Sequence, residues 1–140
     1  MTTATIAMEM QDGKIHEVYV SSDGYLDHTG KILLQHYTDP KVVIELIDRG
    51  AIMTLESSVD KTMFFGDEDP EDADINCASY DSWDEYVTAD GVYYNYIMRN
   101  DGVWYFKKIE YDMSDMSPKK WKKLPTQVSR LDDMVDNPLS

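Results

Sequence analysis

Apolar and polar positions mix along two early runs, TIAMEM and KIHEVYV, set on either side of Asp12-Gly13. A pair of that composition tolerates the positive φ angles of a tight turn, so the pattern predicts an opening β-hairpin. In YLDHTGKILLQHYT the spacing changes: Leu26, Leu33 and Tyr37 fall on one stripe, widened by Leu34, and predict a helix. Thr38-Asp39-Pro40 ends it and starts another. The residue before a proline is disfavoured in the α region, Asp39 can cap free amides, and Pro40 suits the first helical position. The second helix therefore runs from Pro40 to about Arg49 with Val43, Leu46 and Ile47 inward, and Gly50 closes it in the left-handed conformation.

AIMTL and TMFF read as short strands. Ser82 and Glu85 have the spacing of a capping box, which predicts a short helix from Trp83 to about Asp90 that buries Trp83, Tyr86 and Val87 and stops at Gly91. YYNYIMR and VWYFKKI are β-rich runs joined at Asp101-Gly102. A two-residue turn there sets Tyr94, Tyr96 and Met98 beside Tyr105 and Ile109, with Ile97 facing Phe106 and Arg99 facing Trp104. Further on, SPKKWKKLP suggests one helical turn, and VSRLDDMVDN a short helix with Val128, Leu131 and Val135 aligned. These elements add up to an α+β fold, an antiparallel sheet of hairpins packed against the two early helices. They also predict a single domain over 1–140, in which 112–140 is a weakly docked C-terminal tail.

Composition changes the picture in one respect. A chain of 140 residues with 42% hydrophobic residues can bury a real core, so its net charge of −14 is a property of its surface. The charge is segregated: Lys and Arg are absent from Thr62 through Met98, while seven of the 13 basic residues lie between Lys107 and Arg130. The single cysteine, Cys77, cannot form an intramolecular disulfide, and MTTATIAMEM lacks the basic and apolar regions of an export signal. No apolar run approaches the roughly 20 residues needed to span a bilayer. A soluble cytoplasmic protein without membrane contact is the expectation.

The candidate chemistry centres on Asp67, Glu68, Asp69, Glu71, Asp72 and Asp74, an acidic run expected to form an exposed loop and an interaction surface. As a calcium loop it fails: begun at Asp67 or at Asp72, it lacks glycine at the sixth position and glutamate at the twelfth. No metal or cofactor is expected. A second reading has these carboxylates imitate DNA phosphates and occupy a basic groove. Direct nucleic-acid binding is not expected, since KKWKK is a small basic patch on a molecule that repels phosphate. His16, His28 and His36 lie far from Cys77 in sequence and in no catalytic motif, so no catalytic residue is assigned. Tyr93, Tyr96, Trp104 and Phe106 in the last hairpin are expected to form an exposed aromatic docking surface.

Three ordered segments carry a family resemblance: SSDGYLDHTGKILLQHYTDPKVVIELIDRGAIMTL, TMFFGDEDPEDADINCASYDSWDEYVTADGVYYNYIM and DGVWYF. From about Tyr19 to Phe106 the chain resembles a family of small uncharacterised proteins of tailed bacteriophages and prophages, marked by a WDGY turn, a GxxLxxHY helix, a YDSxxEY element and a YNY…DGxWY hairpin. The resemblance implies phage origin, accessory status and the cytoplasm of an infected bacterium. It supplies no catalytic residues. The expected function is non-enzymatic binding of a host or phage protein with a basic surface, such as host takeover or inhibition of a defence. A DNA mimic and a small enzyme of unknown type stand as alternatives, and the oligomeric state is left open. Calorimetric titration with Ca²⁺ should show no specific binding at or below the micromolar range; a dissociation constant there would contradict the reading of Asp67 to Asp74.

Overall fold

The computed structural model describes residues 2–135, so the last residues of the expected tail, 136–140, lie outside it. β1 (Ala4–Glu9) and β2 (Ile15–Val20) form the opening hairpin, and β6 (Tyr94–Met98) and β7 (Trp104–Lys108) form the later one. Both hairpins use the same three-residue loop. Met10 and Arg99 each accept from the glycine amide and donate across the loop, to Lys14 and Val103, at 2.8–3.0 Å. Asp12 and Asp101 each accept from the amide two residues on at 3.0 Å, and Gly13 and Gly102 hold φ of +87° and +81°. The glycine sits in the left-handed region of a bulged loop. The third loop residue slides the later hairpin by one position from the expected register. Met98 therefore faces Trp104, Ile97 faces Tyr105 and Tyr96 faces Phe106. A one-residue slip exchanges the faces of a strand, so Tyr96 and Phe106 share one face instead of dividing.

The large sheet has the order β10 (Gln127–Arg130), β7, β6, β1, β2, β3 (Ile52–Thr54), β4 (Met63–Phe64), and β5 (Ala78–Tyr80) also pairs with β2. It is mixed, not antiparallel as the hairpins suggest, although the α+β class stands. β1 runs parallel to β6, Ala4 opposite Tyr94, and β2 parallel to β3 at Val20 and Ile52. Two helices intervene between β2 and β3, and such a crossover returns the chain in its original direction.

Those helices cover one face. A π-helical turn, Leu26–Gly30, runs into α1 (Lys31–His36), and α2 spans Pro40–Arg49 with the Asp39 carboxylate accepting from the Lys41 amide at 2.9 Å. Leu33, Val43 and Leu46 bury against Ile6, Met8, Val20, Tyr96 and Phe106 in one core. Three polar contacts lock the layer: Trp104 Nε1 donates to the Tyr37 carbonyl at 2.8 Å, and the Tyr37 and Tyr96 hydroxyls donate to the Glu56 and Gly24 carbonyls at 2.9 and 2.7 Å. Part of the tail joins this core. Val128, expected on a helical face, lies in β10 against β7, while Leu131, which opens α5 (Leu131–Met134), and Val135 are buried and reach Gly30. Residues 127–135 of the expected tail thus complete the sheet edge and the core.

α4 (Trp83–Thr88) covers the opposite face, where Tyr86 packs with Ala7, Ile15 and Ile97 and where Trp83 and Val87 are half-buried. Ser82 Oγ accepts from the Glu85 amide at 3.2 Å, but Glu85 reaches back to the Asp81 amide at 2.9 Å, one residue earlier than a capping box requires. Gly50 closes α2 at φ 93° and ψ −153°, a mirror-extended conformation and not the expected left-handed turn. A Cβ there would also sit on the Ala73 carbonyl oxygen, whereas at Gly102 it would meet only Pro40 at ordinary contact distance. Gly50→Ala should therefore cost about 3 kcal/mol, against about 1 kcal/mol or slightly more for Gly102→Val, which meets backbone strain alone. Urea denaturation midpoints check the order; equal losses would contradict it.

Candidate functional site

The acidic run is a folded strap. Its first turn is α3 (Phe65–Glu68) and its second a 3₁₀ turn, Pro70–Asp72, which Asp69 caps by accepting from the Glu71 amide at 3.0 Å. Both ends are clamped beside the end of α2, where Ala51 donates its amide to the Ala73 carbonyl at 2.8 Å and accepts from the Phe65 amide at 3.1 Å. Asp67, Glu68, Asp69, Glu71 and Asp74 are exposed and Asp72 is half-buried. Arg49 meets Asp67 at 3.0 Å and lies over the Phe64 ring at 4.4 Å. Both partners of that ion pair are well hydrated, so it adds little stability.

The strap borders a cleft of about 460 Å³ between the end of α2 and the strand pair β2–β5. Asp48 and Asp74 line it together with His16, Cys77 and Ser79, while Val18, Met10 and Ile47 supply an apolar lining. His16 Nδ1 and Ser79 Oγ lie 3.4 Å apart. Burial pushes the Cys77 thiol up, and the carboxylates of Asp74 and Glu17 push the same way against a backbone contact from Tyr19. The sulfur is a thiol at neutral pH and a weak nucleophile. His28 is tied to the Leu55 carbonyl at 3.1 Å, and His36 is exposed. Among the described residues, no group of three His, Cys, Asp or Glu side chains is placed to hold a metal ion.

The aromatic docking surface needs correction. Tyr93 is 40% exposed, but Tyr96, Trp104 and Phe106 are exposed by 0, 4 and 2% and belong to the core. The hairpin lies inside a sheet covered on both faces, so its large rings point at helices. The large exposed apolar side chains of the C-terminal third include Met113, Met116, Trp121 and Leu124, on and beside the small hairpin β8 (Tyr111–Asp112) and β9 (Lys122–Lys123).

The sequence reading missed a polar cluster beneath α4. Thr5, Asn95 and Lys107 form one row across β1, β6 and β7, with Thr5 donating to Asn95 Oδ1 at 2.7 Å. Lys107 is 1% exposed, donates to the Tyr86 carbonyl at 2.7 Å and sits 3.7 Å from the centre of the Tyr86 ring. The Tyr80 hydroxyl donates to Glu17 Oε2 at 3.1 Å, and the buried Tyr86 hydroxyl has no hydrogen-bond partner among the described residues. Burial lowers the Lys107 ammonium to about 8 although the Glu17 carboxylate opposes it, and burial raises the Glu17 carboxyl more than Lys107 and Tyr80 lower it. Nearby, Arg99 binds buried Glu9 through two contacts of 3.0 and 3.2 Å while stacking on Trp83 at 3.7 Å. The available signal was the alternation itself: Lys107 stands between Tyr105 and Ile109, and Glu17 between Ile15 and Tyr19, on strand faces that are otherwise apolar.

No family model, curated protein or solved structure matches the chain, so its own geometry carries the functional reading.

Lys107→Met removes the donor to the Tyr86 carbonyl and the cation whose charge favours ionised Glu17, and should cost about 1–3 kcal/mol. Adding Glu17→Gln should recover part of that loss, so the double variant falls short of the sum. The sign of the pH dependence also follows. Above pH about 8 the folded Lys107 releases a proton that the unfolded chain holds to about 10.5, so its contribution to stability rises with pH across that window, while Cys77 and the tyrosines, raised in the folded chain, contribute with the opposite sign. Urea midpoints from pH 8 to about 10 should climb less in Lys107→Met than in the parent; parallel curves would contradict the assignment.

Proposed function

We propose that the chain is a non-enzymatic bacteriophage accessory protein that binds a basic surface on a host or phage protein through the strap from Asp67 to Asp74. The observation that carries this reading is the strap's construction. Two helical turns clamped at both ends present five exposed carboxylates from a fixed frame. Among the described residues only Asp67 of the six acidic side chains has an ion pair. Ordering a binding segment before the encounter removes an entropy cost that a free acidic loop would meet on binding. An unneutralised acidic patch also raises the rate of encounter with a basic partner.

Phage origin, and with it the cytoplasm of an infected bacterium, rests on the ordered motifs from Tyr19 to Phe106. Inhibition of a host or defence protein is the form that binding takes in this reading, by analogy. Among the described residues no helix is long and apolar enough to cross a membrane.

The test is the association of this chain with a captured partner. Its rate should fall about tenfold or more between roughly 50 and 200 mM salt, and the dependence should flatten when the six carboxylates are changed to Asn or Gln. A partner whose association ignores both changes overturns the proposal. Duplex DNA is then titrated into the complex. Displacement that requires the six carboxylates moves the assignment to DNA mimicry, and simultaneous binding retains protein docking.

A further inference from the structure

We infer that the cleft beside the strap receives an arginine side chain of the basic partner. The inference rests on the proposed function and specifies where the partner is gripped. Charge leads into the cleft: Asp74 ends the strap and lines the cleft, and Asp48 stands on the last turn of α2. Neither is ion-paired among the described residues, since Arg49 turns to Asp67 and Phe64. The C-terminal turn of this ten-residue helix borders the cleft, so its carbonyl end adds negative potential to the two carboxylates.

The lining selects among cations. Val18, Met10 and Ile47 give an apolar wall that suits the aliphatic stem of a long side chain. A guanidinium is more weakly hydrated than an ammonium and presents five donors in a fixed fork, so it gains more than lysine from two carboxylates and the Ser79 hydroxyl in a recess. At about 460 Å³ the cleft falls within the range that admits a small ligand. The clamp between Ala51 and Ala73 fixes the position of the acidic wall before anything binds.

Cys77 provides the reporter, because it is the chain's single cysteine and lines the cleft. The probe is a fluorescent hexa-arginine peptide titrated into the full chain by anisotropy, with iodoacetamide alkylation of Cys77 followed by mass spectrometry in parallel. At about ten times its dissociation constant the peptide should slow alkylation about tenfold, by mass action. Hexa-lysine at equal occupancy should protect less. Asp48→Asn/Asp74→Asn should abolish the protection while the free variant reacts no more slowly than the parent. Both aspartates are exposed, so the fold is not threatened. Bound peptide with Cys77 reacting at its full rate overturns the cleft and leaves the strap as the docking surface. Protection that survives the double variant also overturns it. Failure of the peptide to bind at low salt overturns the cleft and the proposed function together.

Discussion

β1 is buried along its whole length between an antiparallel and a parallel neighbour, and covering both of its faces organises the molecule. One face is covered by hydrophobic burial: Ala4, Ile6 and Met8 lie in the core that takes in α1, α2, Leu131 and Val135. The other carries Thr5 and Glu9 around Ala7, and a polar group taken out of water there must be given a partner. Asn95 answers Thr5, and Arg99 answers Glu9 while stacking beneath Trp83. The polar face is therefore more demanding of geometry than the apolar one. An aliphatic core tolerates exchanges of similar volume, whereas each of these pairs requires both members.

Local chemistry made much of the fold legible. Asp39, Pro40 and Gly50 delimit α2 because capping, the fixed proline φ and a glycine-only terminus act within a few residues. The two Asp-Gly hairpins are of the same kind. What the residues could not convey was the third loop position, Asn100, which depends on whether the glycine bulges and which decides the partner of every residue from Tyr94 to Met98. Parallel pairing was equally hidden, since a period of two gives the faces of a strand but not its neighbour. The aromatic surface was misjudged for that reason. Tyr96, Trp104 and Phe106 read as docking residues, yet α1, α2 and the end of the tail cover the face that carries them. At the candidate site, the charge of the strap was visible in composition, while the cleft was not. It joins His16, Asp48 and the Asp74–Cys77 turn from three separate stretches of chain.

The residues behind the phage resemblance turn out to be internal ties. Tyr37 accepts from Trp104 and anchors to Glu56, Tyr96 holds Gly24, Ser82 caps α4, and the Tyr86 carbonyl receives Lys107. Those motifs describe how the chain is held together. The acidic strap and the cleft lie apart from these ties, so their side chains can change without disturbing the core.

The parallel pairing of β1 with β6 also sets an order of events during synthesis. Thr5 leaves the ribosome 90 residues before Asn95, the side chain to which it donates. The opening hairpin can close at once, but at ordinary elongation rates the outer edge of β1 stands open for roughly 5–20 s. An apolar strand with unpaired amides is a template for neighbouring nascent chains. The ten carboxylates between Thr62 and Met98 emerge late in that interval, and like charge on neighbouring copies opposes their approach as the partner strand arrives.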